Sequence, residues 1–117
     1  MNDTIRYVGK DVGEAAWSTE KVATGATEMD DGRVNTTIIK KISGWKDLYP
    51  AFALCDALNT GGVTGWYLLA YYELCRIVSN EIYWSSSEYE YSEGMARTNY
   101  KACDKKDIFI VKAIHRF

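Results

Sequence analysis

Residues 65–91 read GWYLLAYYELCRIVSNEIYWSSSEYEY. Gly65 to Leu69 is a short aromatic and apolar run, the composition of a strand. From about Ala70 to Ser79 the apolar residues Leu74, Ile77 and Val78 recur at helical spacing and predict a helix facing inward. Tyr83-Trp84-Ser85-Ser86 returns to strand composition. The stretch is too aromatic for an ordinary loop and too polar for a wholly buried core, so the rest of the chain is expected to be its scaffold.

Towards the C-terminus, Glu88 to Gly94 forms a polar, aromatic turn region, and Met95 to Tyr100 reads as the returning strand of a hairpin. Asp104 to Asp107 (DKKD) reads as a charged turn. Ile108 to Ile114 (IFIVKAI) is almost wholly apolar, as expected of a central strand covered on both faces. Towards the N-terminus, Ala51, Leu54, Cys55 and Leu58 fall at i, i+3, i+4 and i+7, one apolar face of a helix. That helix is expected to start near Asp47, to tolerate Pro50 in its first turn and to stop at Asn59-Thr60-Gly61-Gly62. Before it, Asn35 or Thr36 can cap a short helix carrying Ile38, Ile39 and Ile42, with Gly44 as its stop. Residues 9–33 form a long polar passage in which Trp17 is the expected anchor to the core. Thr4 to Val8 alternates and reads as a first strand at a sheet edge. Strands at both ends with helices between them make an α+β arrangement. No internal repeat or low-complexity segment interrupts it. Residues 1–117 are read as one domain.

Composition narrows the function classes. Nine Tyr and four Trp stand against three Phe. Tyr and Trp join a large apolar body to a polar tip, which suits half-exposed, ligand-facing positions. A net charge of −2 and a pI near 5.4 argue against a general nucleic-acid binder, which shows a basic patch. Cys55, Cys75 and Cys103 are an odd number without CxxC spacing, which argues against a zinc site and excludes a complete disulfide framework. Cys55 and Cys75 are read as buried free thiols. The N-terminal MNDTIRYVGK lacks the apolar core of a signal peptide, and no run is long enough to cross a bilayer, so no membrane insertion is expected.

The case for an enzyme is thin, and no catalytic residue and no cofactor is expected. The single histidine, His115, lies in the last strand and reads as structural. Ser85, Ser86 and Ser87 lack a GxSxG elbow and read as turn-bonding hydroxyls. Glu88, Glu90 and Glu93 share one loop, but their spacing matches no EF-hand, and no metal is expected there. The glycines form no phosphate-binding pattern. Recognition is better supported. Tyr89, Tyr91 and Tyr100 stand with Glu88, Glu90, Ser92, Glu93, Arg97, Asn99 and Lys101 in one turn and its flanking strands. Tyrosine among small polar partners gives large contact area at low entropic cost, the chemistry of antibody binding loops. Met95, Arg97 and Asn99 alternate along a strand and should share a face. Tyr71 and Tyr72, opening the third helix, can join them. Tyr67, Tyr83, Trp66 and Trp84 are read as core.

The order Asp31-Gly32-Arg33-Val34-Asn35-Thr36, Ala57-Leu58 with Gly61-Gly62, Gly65-Trp66-Tyr67-Leu68, Glu73-Leu74, Tyr83-Trp84-Ser85-Ser86-Ser87-Glu88 and Val111-Lys112-Ala113-Ile114 resembles the Lcl C-terminal family (domain of unknown function 1566). Its pattern runs roughly DGxxNT, GWYLP, EL, YWSSSE and VRAVR. The match spans about residues 23 to 117, with Leu69 in place of a proline and Lys112 in place of an arginine. The resemblance implies a C-type-lectin-like fold, two main helices on a small mixed, mostly antiparallel sheet, without the lectin calcium ligands. Some members resemble the variable proteins of diversity-generating retroelements, in which adenine-directed mutagenesis rewrites codons near the 3′ end of the gene. Carried over, the variable ligand-binding sites are Tyr71, Tyr72, Glu88, Tyr89, Glu90, Tyr91, Ser92, Glu93, Met95, Arg97, Asn99, Tyr100 and Lys101, within a part spanning about 66–105. The implied protein is non-enzymatic, displayed on a virion or a bacterial cell surface, and binds a protein or glycan on a host or neighbouring cell. Two alternatives stand beside it. One is an invariant surface or adhesin-type module with a fixed partner. The other is a sulfatase-modifying-type enzyme of related fold, which needs reactive cysteines.

Overall fold

The computed structural model describes residues 7–77 and 80–116. Ten elements follow one another among the described residues: strand β1 (Tyr7–Ala16), helices α1 (Gly32–Lys40), α2 (Trp45–Leu48) and α3 (Pro50–Asp56), strand β2 (Tyr67–Leu68), helix α4 (Tyr71–Cys75), and strands β3 (Trp84–Glu88), β4 (Met95–Thr98), β5 (Ala102–Asp104) and β6 (Ile108–Arg116). The protein is α+β, with short helices and two antiparallel three-stranded sheets ordered β1-β6-β2 and β3-β4-β5. A parallel bridge between Tyr83 and Ile110 joins the sheets, and the Ser86 N–H donates to the Leu69 carbonyl at 2.7 Å. The apolar run IFIVKAI is the central strand of the first sheet, with Val111, Ala113 and Ile114 buried, but it is not covered along its whole length: Ile108 is exposed and Phe109 and Ile110 are half-buried.

The first strand differs from the sequence expectation. It runs to Ala16, through residues expected to form a loop, because β6 offers an antiparallel partner along that whole length. A shift in register between Asp11 and Gly13 absorbs the irregular sequence, and Gly13 there has a φ of 128° that favours glycine. Residues 4–6 of the expected strand lie outside the described residues. β1 does occupy a sheet edge.

The helices are also divided differently. α1 begins at least four residues earlier than expected, capped by the Asp31 carboxylate in place of Asn35 or Thr36; Asp31 accepts from the Arg33 N–H at 3.0 Å. Asn35, expected as a cap, is instead wholly buried. It donates to the Glu28 carbonyl and the Ser86 Oγ, and accepts from the Glu28 N–H. Gly44 does not end α1, which stops at Lys40. With a φ of 76°, Gly44 precedes α2. The single helix expected from Asp47 to Leu58 is two. Tyr49 breaks it with an extended φ of −125° and ψ of 74°, as a residue before proline is disposed to do, and Pro50 opens α3. α4 is shorter than expected, ending at Cys75, and Val78 and Ser79 lie outside the described residues. On this short helix Cys75 is exposed, which corrects its reading as a buried thiol, while Cys55 and Cys103 are buried. Burial pushes the Cys55 thiol well above its usual range.

The core is built around Trp17, the expected anchor. Its ring meets Tyr49 and Phe52 edge-on at 5.9 and 5.1 Å, and its Nε1–H donates to the Ser85 carbonyl at 2.9 Å. Trp84 packs edge-on against Phe109 and donates to the Ala15 carbonyl, tying the second sheet to β1. Aromatic pairs of this geometry stabilise by about 0.5–1.5 kcal/mol beyond area burial. No helix among the described residues is long and apolar enough to cross a membrane.

Candidate functional site

Three buried polar networks fix the backbone from which the candidate surface projects. The first centres on Glu73, at the start of α4. Its Oε1 accepts from the N–H groups of Gly32 and Ala70 at 2.8 and 2.9 Å, and its Oε2 accepts from the Tyr67 hydroxyl. The carboxylate thus holds the starts of α1 and α4 together, where free helical N–H groups favour negative charge. Gly32 is confined in the process. A Cβ there would lie 2.2 Å from the Leu68 carbonyl oxygen.

The second network is the serine run. All three serines of β3 are buried. The Ser85 Oγ donates to the Arg97 carbonyl and accepts from the Ser87 N–H. The Ser87 Oγ donates to the Glu28 carbonyl and accepts from the Tyr71 N–H. Hydroxyls so placed bind β3 to β4, to the 24–28 segment and to α4.

The third corrects one reading. Glu88, grouped with the exposed loop carboxylates, is 3% exposed. The charged turn at Asp104–Asp107 is present, with the Asp107 N–H donating to the Asp104 carbonyl, but its Lys105 is fully buried. The Lys105 Nζ donates to Glu88 Oε2 at 2.6 Å and to the Val22 carbonyl at 2.8 Å, and lies 4.7 Å from the Trp17 ring centroid. Glu88 also accepts from the N–H groups of Thr24 and Gly25 and from the Thr24 hydroxyl. A buried charge persists only when paired and hydrogen-bonded, and both members of this pair are. The pair staples the 22–25 strap to β3 and β5.

Above these networks lies a cluster of tyrosines around one arginine. The Arg97 guanidinium sits 5.5 Å from the Tyr71 ring centroid and 4.9 Å from that of Tyr89, and its Nη2 donates to the Glu90 carboxylate. Tyr71 and Tyr72 are 5.5 Å apart, and Tyr89 and Tyr91 are 5.4 Å apart. Tyr91 is 80% exposed and Tyr72 is 48% exposed. The Tyr71 phenol is held above its usual range, first by its hydrogen bond with the Cys75 thiol and then by the charge on that sulfur and by burial, with Arg97 opposing. The loop closes on itself: Tyr89 N–H donates to the Met95 carbonyl, Ser92 N–H to Tyr89 and Met95 N–H to Ser92. Glu93 is exposed, and Ser92 and Met95 are half-buried beside it.

The sequence-derived set therefore divides. Tyr71, Tyr72, Tyr89, Glu90, Tyr91 and Arg97 come together in direct contacts, and Ser92, Glu93 and Met95 flank them. Asn99, Tyr100 and Lys101 lie past the far end of β4, near Tyr83, while Tyr89 lies beyond the opposite end of β3. Four residue steps of strand, roughly 13 Å at about 3.3 Å each, separate the two ends. Asn99 is engaged in the fold, accepting from the Tyr83 N–H and donating to the Glu81 carbonyl. Tyr100 is 71% exposed, with the Lys101 ammonium 5.6 Å from its ring. Sequence reasoning missed the facing wall, where residues 23–27 border an open groove with the Tyr89–Glu93 loop. No periodicity marks that segment, and its contacts with Glu88 place it: Thr24 and Gly25 donate to the carboxylate, and the Glu88 N–H donates to the Ala26 carbonyl.

Among the described residues no group of three or more His, Cys, Asp or Glu side chains is placed to hold a metal ion. His115 lies in β6, its ring 5.5 Å from that of Trp66. Comparison with protein-family models, with curated proteins and with solved structures returns no match for this chain.

Proposed function

We propose that this chain is a non-enzymatic recognition domain of C-type-lectin-like fold that presents a tyrosine-rich surface to a protein or glycan on another cell. In this reading the surface is rewritten by a diversity-generating retroelement, and the domain is carried on a virion or a bacterial cell surface. One observation carries the proposal: the backbone under these side chains is anchored by hydrogen bonds that the side chains themselves do not make. Tyr71 N–H donates to the buried Ser87 Oγ, Tyr72 N–H to the Met29 carbonyl, and Tyr89 N–H to the Met95 carbonyl. None of these bonds uses the tyrosine side chain. Short helices packed with two small antiparallel sheets support the fold assignment. Of the motif residues behind the resemblance, Gly32, Asn35, Glu73, Trp84 and the serines are buried, as a constant scaffold requires, while Arg33 and Val34 are exposed.

A display library tests the reading. Codons 72, 90, 91 and 93 are randomised together and the library is panned on an arbitrary protein such as lysozyme. Exposed substitutions usually change stability by no more than about 0.5 kcal/mol each. Most clones should therefore fold with unfolding midpoints within about 10 °C of the parent, and specific binders should be recovered. A library dominated by unfolded clones would show that these side chains build the fold and do not decorate it.

A further inference from the structure

The groove beside the Tyr89–Tyr91 pair has a volume of about 470 Å³ and a one-sided chemistry. Tyr89 and Tyr91 supply aromatic rings, Thr27 and Ser92 supply hydroxyls, and Glu90 and Glu93 supply carboxylates, with no lysine or arginine among the residues that line it. Glu88, at its base, is already neutralised by Lys105. The Lys21 ammonium, whose stem packs by Gly94, is paired with Asp104 at 2.6 Å.

Immediately next to the groove, the protein displays what such groups hold. Arg97 lies between the Tyr71 and Tyr89 rings with its guanidinium on Glu90. Aromatic faces attract cations through the ring quadrupole, and a guanidinium stacks as well as pairs. Tyr91 and Glu93 supply the same pair of groups a few residues further on, with Tyr91 largely in solvent. We propose that this groove takes an arginine or lysine side chain from a basic segment of the partner, seated against Tyr91 and Tyr89 with its charge on Glu93. This rests on the recognition reading above and gives its ligand a chemical class. A neutral sugar can stack on the same rings but leaves the Glu93 charge uncompensated. The acidic character of the whole chain, net charge −2, favours the approach of a basic partner.

The test is a set of NMR titrations of the full chain with N-acetyl-arginine amide, its neutral isostere N-acetyl-citrulline amide, and methyl α-glucoside. The arginine probe should shift the amides of residues 27 and 89–93, with citrulline at least about five-fold weaker, the size of one cation–π contact. Glu93→Gln should weaken the arginine probe about three-fold, as an exposed ion pair does. Glu14→Gln, an exposed carboxylate on β1, should leave it unchanged. Equal shifts from arginine and citrulline overturn the proposal. Shifts from the glucoside alone overturn the ligand class and leave the recognition surface standing. No shift from any probe removes the groove as a binding place, and the library experiment then decides the recognition reading by itself.

Discussion

Lys105→Met isolates what the buried staple contributes. The lysine is fully buried, and its ammonium bonds Glu88 Oε2 and the Val22 carbonyl. Removing it leaves a carboxylate that is 3% exposed without its counter-charge. Breaking one half of such a pair costs about 3–5 kcal/mol. Glu88 keeps the N–H groups of Thr24 and Gly25 and the Thr24 hydroxyl, which sets the expectation at the lower end, about 3 kcal/mol. A 117-residue chain has an unfolding entropy of about 0.25 kcal/mol/K, so the midpoint should fall by about 12 °C. The double variant Glu88→Gln with Lys105→Met should recover much of this, because a glutamine amide still accepts from the strap and can donate towards the Val22 carbonyl. Calorimetry of the two variants, with hydrogen exchange at the Thr24 and Gly25 amides, makes the comparison. A single-variant loss below about 1 kcal/mol, the size of an exposed ion pair, would refute the staple and with it the rigid rear wall of the groove.

Other predictions follow from single contacts. Gly32→Ala drives a Cβ to 2.2 Å from the Leu68 carbonyl oxygen, backbone that cannot swing aside, so it should lower stability by about 3 kcal/mol or more in denaturant titration. An unchanged midpoint would mean that α1 is not seated on β2 as described. With a thiol reagent such as Ellman's, Cys75 should react in the native protein, while Cys55 and Cys103 should wait for unfolding. Cys55 is further protected because burial raises its thiol pKa and suppresses the thiolate. The Asp104 carboxyl is held below its usual range by its hydrogen bond to Lys21, then by the Lys106 N–H. Its folded pKa is depressed, so its contribution to stability is present at neutral pH and lost as the solution is acidified through that lowered value. Carboxyl NMR titration should find a low midpoint that returns towards the ordinary range in Lys21→Met.

The parts of the fold that were legible in sequence are those in which one residue pattern decides the outcome. The IFIVKAI run announces a central strand, Trp17 announces an anchor, and Tyr83 and Trp84 announce core. Patterns failed where a distant partner decides. Residues 9–16 lack strand composition, yet β6 recruits them by pairing along its whole length. Pro50 was compatible with the first turn of a longer helix, but the conformation it imposes on Tyr49 makes two helices, and burial of the Tyr49 ring against Trp17 holds that break in place. At the site, loop composition revealed the tyrosines but not which charges were exposed. Glu88 and Lys105 look like their neighbours in sequence. Only the fold brings them together across β3 and β5, and only the fold makes their burial tolerable. The division of the candidate residues between two ends of a sheet was likewise invisible, since sequence proximity does not report strand direction.

Deep sequencing of this gene's 3′ end across its source population, together with the neighbouring DNA, tests the central claim most directly. The account predicts substitutions matching adenines of a nearby template copy. They should fall on exposed codons such as 72, 90, 91, 93, 100 and 101, and spare the buried codons 73, 74, 84–88, 96, 98 and 105. Invariant surface codons without a template, or variation spread evenly into the buried set, would contradict it.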